Sequence, residues 1–285
     1  MLLAIIGAAQ LHATIADIRN SLPPTPQLGK LPVSVAVTDR TGQLLRPFTT
    51  GDGRWRLPVS RAEVDPRFVN MLIAYEDRGF AEHHGIAWSS MVRAAAQYVG
   101  AGGRIVSGGS TLTMQVARLL EGQPTRNMWG KLRQMVHADI LERDLDKGEI
   151  LDLYLTLAPY GGNIEGIRAA SLAYFGKEPG RLTTAEAALL VALPQSPEAR
   201  RPDRDPEAAR RSRDMVLDRL VTLGAIPAED ARAAKHEPIP TARREFPLLA
   251  AHMAEQARRL QPEARTLALT IDKRLQEALE RLATA

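Results

Sequence analysis

Apolar and polar positions change their period along the chain, and this change separates a short β segment from a long helical one. Between residues 30 and 60, apolar residues alternate at Val33, Val35 and Val37, and glycine-containing turns follow. Alternation with a period of two predicts β-strands. We therefore expect a small N-terminal β hairpin or sheet, with a third strand at 55–59.

From residue 65 onward the apolar positions recur with the spacing of an α-helix. The pattern predicts a mainly α protein in which the β segment is a minor part. The predicted helices cover residues 66–76, 88–99, 111–120, 127–145, 149–157, 164–174, 184–193, 206–223, 228–235, 246–260 and 272–283.

The chain begins with the apolar run MLLAIIGAA, which polar residues interrupt from Gln10 onward. A membrane span needs roughly 20 apolar residues, so this run does not cross a bilayer alone. Residues 1–29 are either the remnant of a membrane span or a short apolar helix, followed in both cases by a proline-rich linker. We expect residues 30–240 to form the main domain and residues 241–285 to form a separate closing segment.

Composition narrows the classes of function. The net charge of +4 and the isoelectric point near 9.6 favour an anionic partner such as a diphosphate or an acidic membrane surface. Aromatic residues make up only 5% of the chain, which disfavours base-stacking surfaces for nucleic acid. Cysteine is absent, which excludes thiolate chemistry and cysteine-ligated zinc. The adjacent His83 and His84 match no metal-ligand spacing, so we expect loop or capping residues there.

The first candidate for chemistry is a pair of carboxylates, Glu76 and Asp77, directly after the apolar run at 71–75. If Glu76 lies against apolar side chains, its carboxylate is suited to act as a general base. Arg78 would then pair with Asp77 and give the two acids different roles. The alternative is a solvated acid pair at a helix end, beside a surface arginine.

The second candidate is the glycine-rich segment at 101–120, AGGRIVSGGSTLTMQVARLL. Ser110 or Thr111 would cap the helix that follows, and a helix N-terminus behind a glycine turn can bind an anion. The segment is not a nucleotide-binding P-loop, because Gly109 stands where the lysine is required. The alternative is a flexible loop with a good cap.

The third candidate is the basic start of the next predicted helix, which carries Arg126, Lys131 and Arg133. Together with Arg118, these four basic groups would neutralise a diphosphate. The alternative for this segment is a solvated basic helix face.

Five segments resemble, in order, the five motifs of the family-51 peptidoglycan glycosyltransferases, the transglycosylase modules of class A penicillin-binding proteins. They are EDRGFAEHHG, GGSTLTMQ, the basic helix, KGEILDLYL and AYFGK. The resemblance covers about residues 33–200, and its details are most like the penicillin-binding protein 1C branch. It implies a lysozyme-like, mainly helical glycosyltransferase fold. Residues 241–285 resemble the start of a linker to a transpeptidase domain, but the sequence has no SxxK, SxN or KTG motif, so penicillin binding is not expected.

The resemblance also implies a reaction, in which lipid II is polymerised into glycan strands with inversion and release of undecaprenyl diphosphate. Glu76 would be the general base. The implied location is the periplasmic face of the cell inner membrane. The implied partners are lipid II, the growing glycan strand, the membrane surface and other cell-wall synthesis proteins, with no nucleic acid. The substrate-binding positions by motif match are Asp77, Arg78, Phe80, Ser110, Thr111, Gln115, Arg118, Arg126 and Lys131.

One position departs from the family pattern. Gln134 stands where the third motif carries a second catalytic glutamate, so Gln134 takes that catalytic position as an amide. The family implies no required cofactor but allows a divalent cation, Mg or Mn, and an amide would ligate such an ion only weakly. Glu142 is a poor substitute, because it lies about 80° away around an ideal helix.

Two other functions stay open. A lytic enzyme of the same fold class would cleave glycan strands and would not need the basic helix. A non-catalytic scaffold module for the cell-wall machinery would explain the missing second glutamate.

Overall fold

The computed structural model describes residues 2–88, 109–122 and 128–284. The mainly α prediction is confirmed. Residues 89–99 of the helix predicted at 88–99, and Arg126, lie outside the described residues. Within them the α-helices are α1 (Leu2–Ser21), α2 (Pro66–Glu76), α3 (Leu112–Glu121), α4 (Met128–Asp144), α5 (Lys147–Leu157), α6 (Ile167–Phe175), α7 (Thr184–Ala192), α8 (Pro206–Thr222), α9 (Ala228–His236), α10 (Ala251–Leu260) and α11 (Lys273–Thr284).

Six short strands form two three-stranded sheets in the described part of the chain. β1 (Val35–Thr38), β2 (Leu44–Phe48) and β6 (Thr266–Ala268) form one sheet in the order β2-β1-β6, and β3 (Trp55–Arg56), β5 (Ile164–Glu165) and β4 (Pro159–Gly161) form the other in the order β3-β5-β4. The predicted hairpin is therefore confirmed as the antiparallel pair β1–β2. The strand predicted at 55–59 is only two residues long and belongs to the second sheet.

Two helices begin later than predicted, and only the second start lies outside the about two to four residues to which such boundaries are predicted. The helix predicted from residue 164 begins at Ile167, because Ile164–Glu165 is a strand paired with Trp55–Arg56. The helix predicted from residue 246 begins at Ala251, directly after Ala250 with its positive φ of 50°. In both cases a tertiary contact or a local backbone angle overrides the helical pattern of the sequence.

The chain divides into two compact units. The first consists of Met1–Lys30 and Glu76–Tyr154, and the second of Leu31–Tyr75 and Leu155–Ala285. In the second unit, β1 is buried on both faces, since neighbouring Ala36 and Val37 are both fully buried. No helix in the described residues is long and apolar enough to span a membrane.

Candidate active site

Glu76 is the last residue of α2 and lies in the first unit. Its Oε2 atom accepts a hydrogen bond from Nε2 of Gln115, at 2.9 Å. Gln115 lies on α3 and is half-buried, as is Glu76. A neutral amide that donates to a carboxylate fixes the direction of the carboxylate without cancelling its charge. The hydrogen bond from Gln115 thus orients the Glu76 carboxylate.

Asp77 occupies a different environment from its neighbour. Its two oxygens both lie 2.9 Å from Nε2 of His83, and Oδ2 accepts the backbone N–H of Leu112 at 2.9 Å. Leu112 is the first residue of α3, so the anion at this helix N-terminus is a side chain of the protein itself. The predicted Asp77–Arg78 pair was wrong: among the described residues Asp77 binds His83 and Leu112, and Arg78 is exposed in the turn after α2.

Thr111 caps the same helix, which confirms one of the two predicted capping residues. Its hydroxyl accepts the N–H of Met114 at 3.1 Å and donates to the carbonyl of Gly85 at 2.6 Å. Gly85 has a φ of +76°, and a Cβ at this position would lie 2.8 Å from the carbonyl oxygen of Ala138. Only glycine fits this close approach without strain. The loop containing His83 and His84 is therefore tied to the start of α3, and both histidines are loop residues as predicted.

Lys131 on α4 contacts Ser110, which lies just before α3. The lysine Nζ donates a hydrogen bond to the serine hydroxyl. The pKa of Lys131 is lowered, first because burial disfavours its charged form and second because the positive charge of Arg118 lies nearby. Arg118 follows Gln115 by three residues on α3, so the two share one side of that helix. One side of α3 thus carries both Gln115, which binds the Glu76 carboxylate, and Arg118, which lies near Lys131.

Arg133 does not join these cations, contrary to the prediction for the basic helix. Its guanidinium binds the carboxylate of Glu121 at the end of α3 and also donates to Ser21 at the end of α1. The positive charge is therefore already paired inside the unit. Of the three described basic groups expected to meet a diphosphate, Lys131 and Arg118 lie near each other and Arg133 does not join them.

Two further predicted site residues, Phe80 and Gln134, are buried. Phe80 is buried, with Nζ of Lys147 4.7 Å from its ring centroid. Gln134 on α4 is 6% exposed.

Glu142 does not replace the missing glutamate, because its carboxylate accepts from Thr113 and from Lys147. Within the described ranges, no group of three or more His, Cys, Asp or Glu side chains could hold a metal ion.

Sequence reasoning missed Glu121 and His137. His137 is fully buried, and its Nδ1 lies 2.9 Å from a Glu121 oxygen. A signal was present, since Arg133 and His137 are four residues apart and so share one face of α4. Only the folded chain brings Glu121 opposite that face.

Comparison with known proteins identifies the class. Residues 41–221, which include all five motif segments, match the family model described as Transglycosylase. The chain belongs to the transglycosylase family, as the motifs predicted. It is 44% identical over 264 residues to penicillin-binding protein 1C of Escherichia coli, covering 93% of this chain and 34% of that protein.

Penicillin-binding protein 1A of Pseudomonas aeruginosa is 36% identical over 210 residues, covering 74% of this chain and 25% of that protein. A crystal structure of penicillin-binding protein 1A from Haemophilus influenzae matches 81% of this chain and 24% of the solved chain, at 22% identity and a TM-score of 0.43. The chain thus spans about a third or less of the length of these relatives.

Proposed function

We propose that this chain is a peptidoglycan glycosyltransferase that polymerises lipid II into glycan strands and releases undecaprenyl diphosphate. The observation that carries the proposal is the arrangement on α3. Gln115 holds the Glu76 carboxylate, and Arg118, one turn further along, lies beside Lys131. A proton acceptor and a pair of cations on one side of a helix suit a transfer reaction in which a hydroxyl loses a proton and a diphosphate leaves.

The acceptor side of the reaction is assigned to Glu76. Its carboxylate takes the proton of the acceptor sugar's 4-hydroxyl while that oxygen forms a bond to the anomeric carbon of the donor. The α-linked diphosphate leaves from the opposite face, so the configuration at the anomeric carbon inverts. Gln115 keeps the carboxylate oriented through this step by its 2.9 Å hydrogen bond.

The donor side is assigned to Lys131, Arg118 and Ser110, and Arg126 is added because its motif position matches the family. As the anomeric bond breaks, negative charge develops on the diphosphate oxygens. Lys131 is desolvated and lies close to a second positive charge, so an incoming anion relieves repulsion and its attraction increases as the charge grows. Preorganised charges of this kind stabilise the transition state more than the ground state.

We propose that these cations, rather than a divalent metal ion, accept the charge of the diphosphate. The position where the family carries a glutamate holds Gln134, whose amide oxygen is a weak ligand for a hard cation. Lys131, which lies three residues before Gln134, supplies a positive charge directly. Among the described residues, the donor set therefore lacks a carboxylate at this position for a magnesium or manganese ion, and the proposed reaction has no step that uses one.

The remaining assignments follow from the chemistry of lipid II. Its donor and acceptor are lipid-linked, so we place the chain at the periplasmic face of the inner membrane. The growing strand and other cell-wall synthesis proteins are its proposed partners, and nucleic acid is not one of them. The net charge of +4 is consistent with an anionic membrane surface.

The test is incubation of the purified chain with labelled lipid II in detergent, followed by separation of the products. We expect glycan polymer from the wild type and none from Glu76→Gln, while Glu82→Gln, an exposed loop position, behaves as the wild type. Release of an anhydro-sugar from preformed strands would support the lytic enzyme instead. Unchanged lipid II with an intact fold would support the scaffold.

A further inference from the structure

Glu121 and its partner Arg133 together link three helices of the first unit. Glu121 ends α3, and its side chain is only 5% exposed. Two groups of α4 contact it, the Nε of Arg133 and the Nδ1 of His137. Each nitrogen lies within hydrogen-bonding distance of a different carboxylate oxygen of Glu121.

Arg133 extends this contact to the first helix. One of its terminal nitrogens donates to the hydroxyl of Ser21 at 2.6 Å, and the other donates to the Ser21 carbonyl at 2.9 Å. Ser21 is the last residue of α1, where carbonyl groups lack intrahelical partners. The guanidinium therefore satisfies the end of α1 and the carboxylate of Glu121 together.

The same stretch of α4 carries the donor-side cation. Lys131 lies two residues before Arg133 and contacts Ser110 just before the start of α3, whereas Arg133 contacts Glu121 at its end. These two contacts are separated by the length of α3, about 15 Å for ten residues. Contacts at both ends of α3 fix the rotation of α4 and its position along α3.

The contact of Lys131 with Ser110 depends on the position of α4. Lys131 is half-buried and donates to Ser110, and its burial and the nearby charge of Arg118 both lower its pKa, so the position of α4 decides whether the ammonium group stays at Ser110. A paired and buried carboxylate at the other end of the helix prevents α4 from shifting to relieve the repulsion.

We propose that Glu121, with Arg133 and His137 as its partners, is the positioning residue that holds Lys131 at Ser110, beside the start of α3, for binding a diphosphate. The inference rests on the proposed function. It adds residues to the donor site that do not touch the substrate but set the spacing of the cations that do.

The test compares Glu121→Gln with Glu165→Gln. Glu165 is a matched control in the second unit, because it is also buried and also binds two basic groups, Arg54 and Arg56. Both variants are measured for melting temperature and for the dissociation constant of inorganic pyrophosphate by calorimetry. We expect both to lose stability, and only Glu121→Gln to weaken pyrophosphate binding, by about tenfold, because small misplacements of binding groups have effects of this order.

Polymerisation of lipid II separates the two proposals. If the wild type polymerises lipid II and Glu121→Gln binds pyrophosphate as tightly as the Glu165→Gln control, the positioning role is overturned and the function stands. If pyrophosphate does not bind the wild type, the positioning role is also overturned. If pyrophosphate binds and responds to Glu121→Gln but no polymer forms, the positioning role stands and the proposed function fails.

Discussion

The N-terminus of α3 and the basic side of the same helix differ in how their charged groups are paired. At the N-terminus, Asp77 receives hydrogen bonds from His83 and from the first N–H of the helix, and Thr111 satisfies a further one. On the basic side, Lys131 is desolvated beside the like charge of Arg118. The first region is built for stability. The second keeps an unfavourable charge arrangement that an anionic ligand would relieve, as expected of a functional site.

The largest expected effect comes from removing the unfavourable charge. Lys131→Met should lower the rate of lipid II polymerisation by about 10²–10³-fold, because a preorganised charge at the leaving group is lost. The melting temperature should stay the same or rise, since a half-buried cation whose charged form is disfavoured is removed. A gel-based polymerisation assay and thermal denaturation measure the two quantities. Loss of stability together with activity would place Lys131 among structural residues.

The N-terminus of α3, where Asp77 is hydrogen-bonded, should instead lose stability when its charge is removed. Asp77→Asn should lower the free energy of unfolding by about 2–3 kcal/mol, because a buried carboxyl group that contacts His83 and the N–H of Leu112 is replaced. Denaturant titration measures this loss. Asp52→Asn, at an exposed carboxylate that pairs with Arg54, is the control and should change stability far less. Equal losses in the two variants would contradict the assignment of Asp77 as the helix anchor.

The pH dependence tests the charge of Lys131. Because the pKa of Lys131 is lowered from 10.5, its charge in the folded protein is lost at a pH where the unfolded chain still binds the proton. Stability contributed by this group therefore rises with pH up to about the ordinary pKa of 10.5 that the lysine has in the unfolded chain. Activity should fall across the same alkaline range.

Lys131→Arg is the matched variant for this prediction. Arginine stays charged, so the activity of this variant should remain flat with rising pH, at a lower absolute rate. The wild type should gain stability relative to Lys131→Met as the pH rises, measured by denaturant titration at several pH values. A parallel decline of activity in wild type and Lys131→Arg would assign the titration to another group.

A smaller effect is expected at the helix caps. Thr111→Ala and Thr183→Ala, at the N-caps of α3 and α7, should each lower stability by about 1 kcal/mol. Only Thr111→Ala should also reduce polymerisation, by a few-fold, because α3 carries Gln115 and Arg118. Equal activity in the two variants would show that the donor site tolerates a loosened helix start.

The smallest effect is expected from a chelator. Adding EDTA should change the wild-type polymerisation rate by less than about twofold, since Gln134 supplies no carboxylate for a hard cation. Gln134→Glu restores the family residue and should make the rate more sensitive to EDTA. A strong loss of wild-type activity on chelation, reversed by magnesium, would contradict the proposed donor chemistry.

Local patterns were sufficient for much of the fold. Helix α2 has the bounds predicted for it, 66–76, because its apolar spacing and its proline at the first position agree. Strand β6 could not be predicted in the same way. Its three residues become a strand only by pairing in parallel with β1, more than 200 positions earlier in the chain. Such pairings depend on contacts that no local window contains.

The candidate site divides along the same line. The sequence by itself determined the family, the order of the five motifs and the identity of Glu76, Gln115, Arg118 and Lys131, because motif spacing and residue chemistry are written in the chain. Tertiary structure decided their use. In the folded chain, Asp77 binds the N-terminus of α3 and Arg133 binds Glu121. Each buried charge pairs with the group that folding brings within hydrogen-bonding distance, and not with its neighbour in sequence.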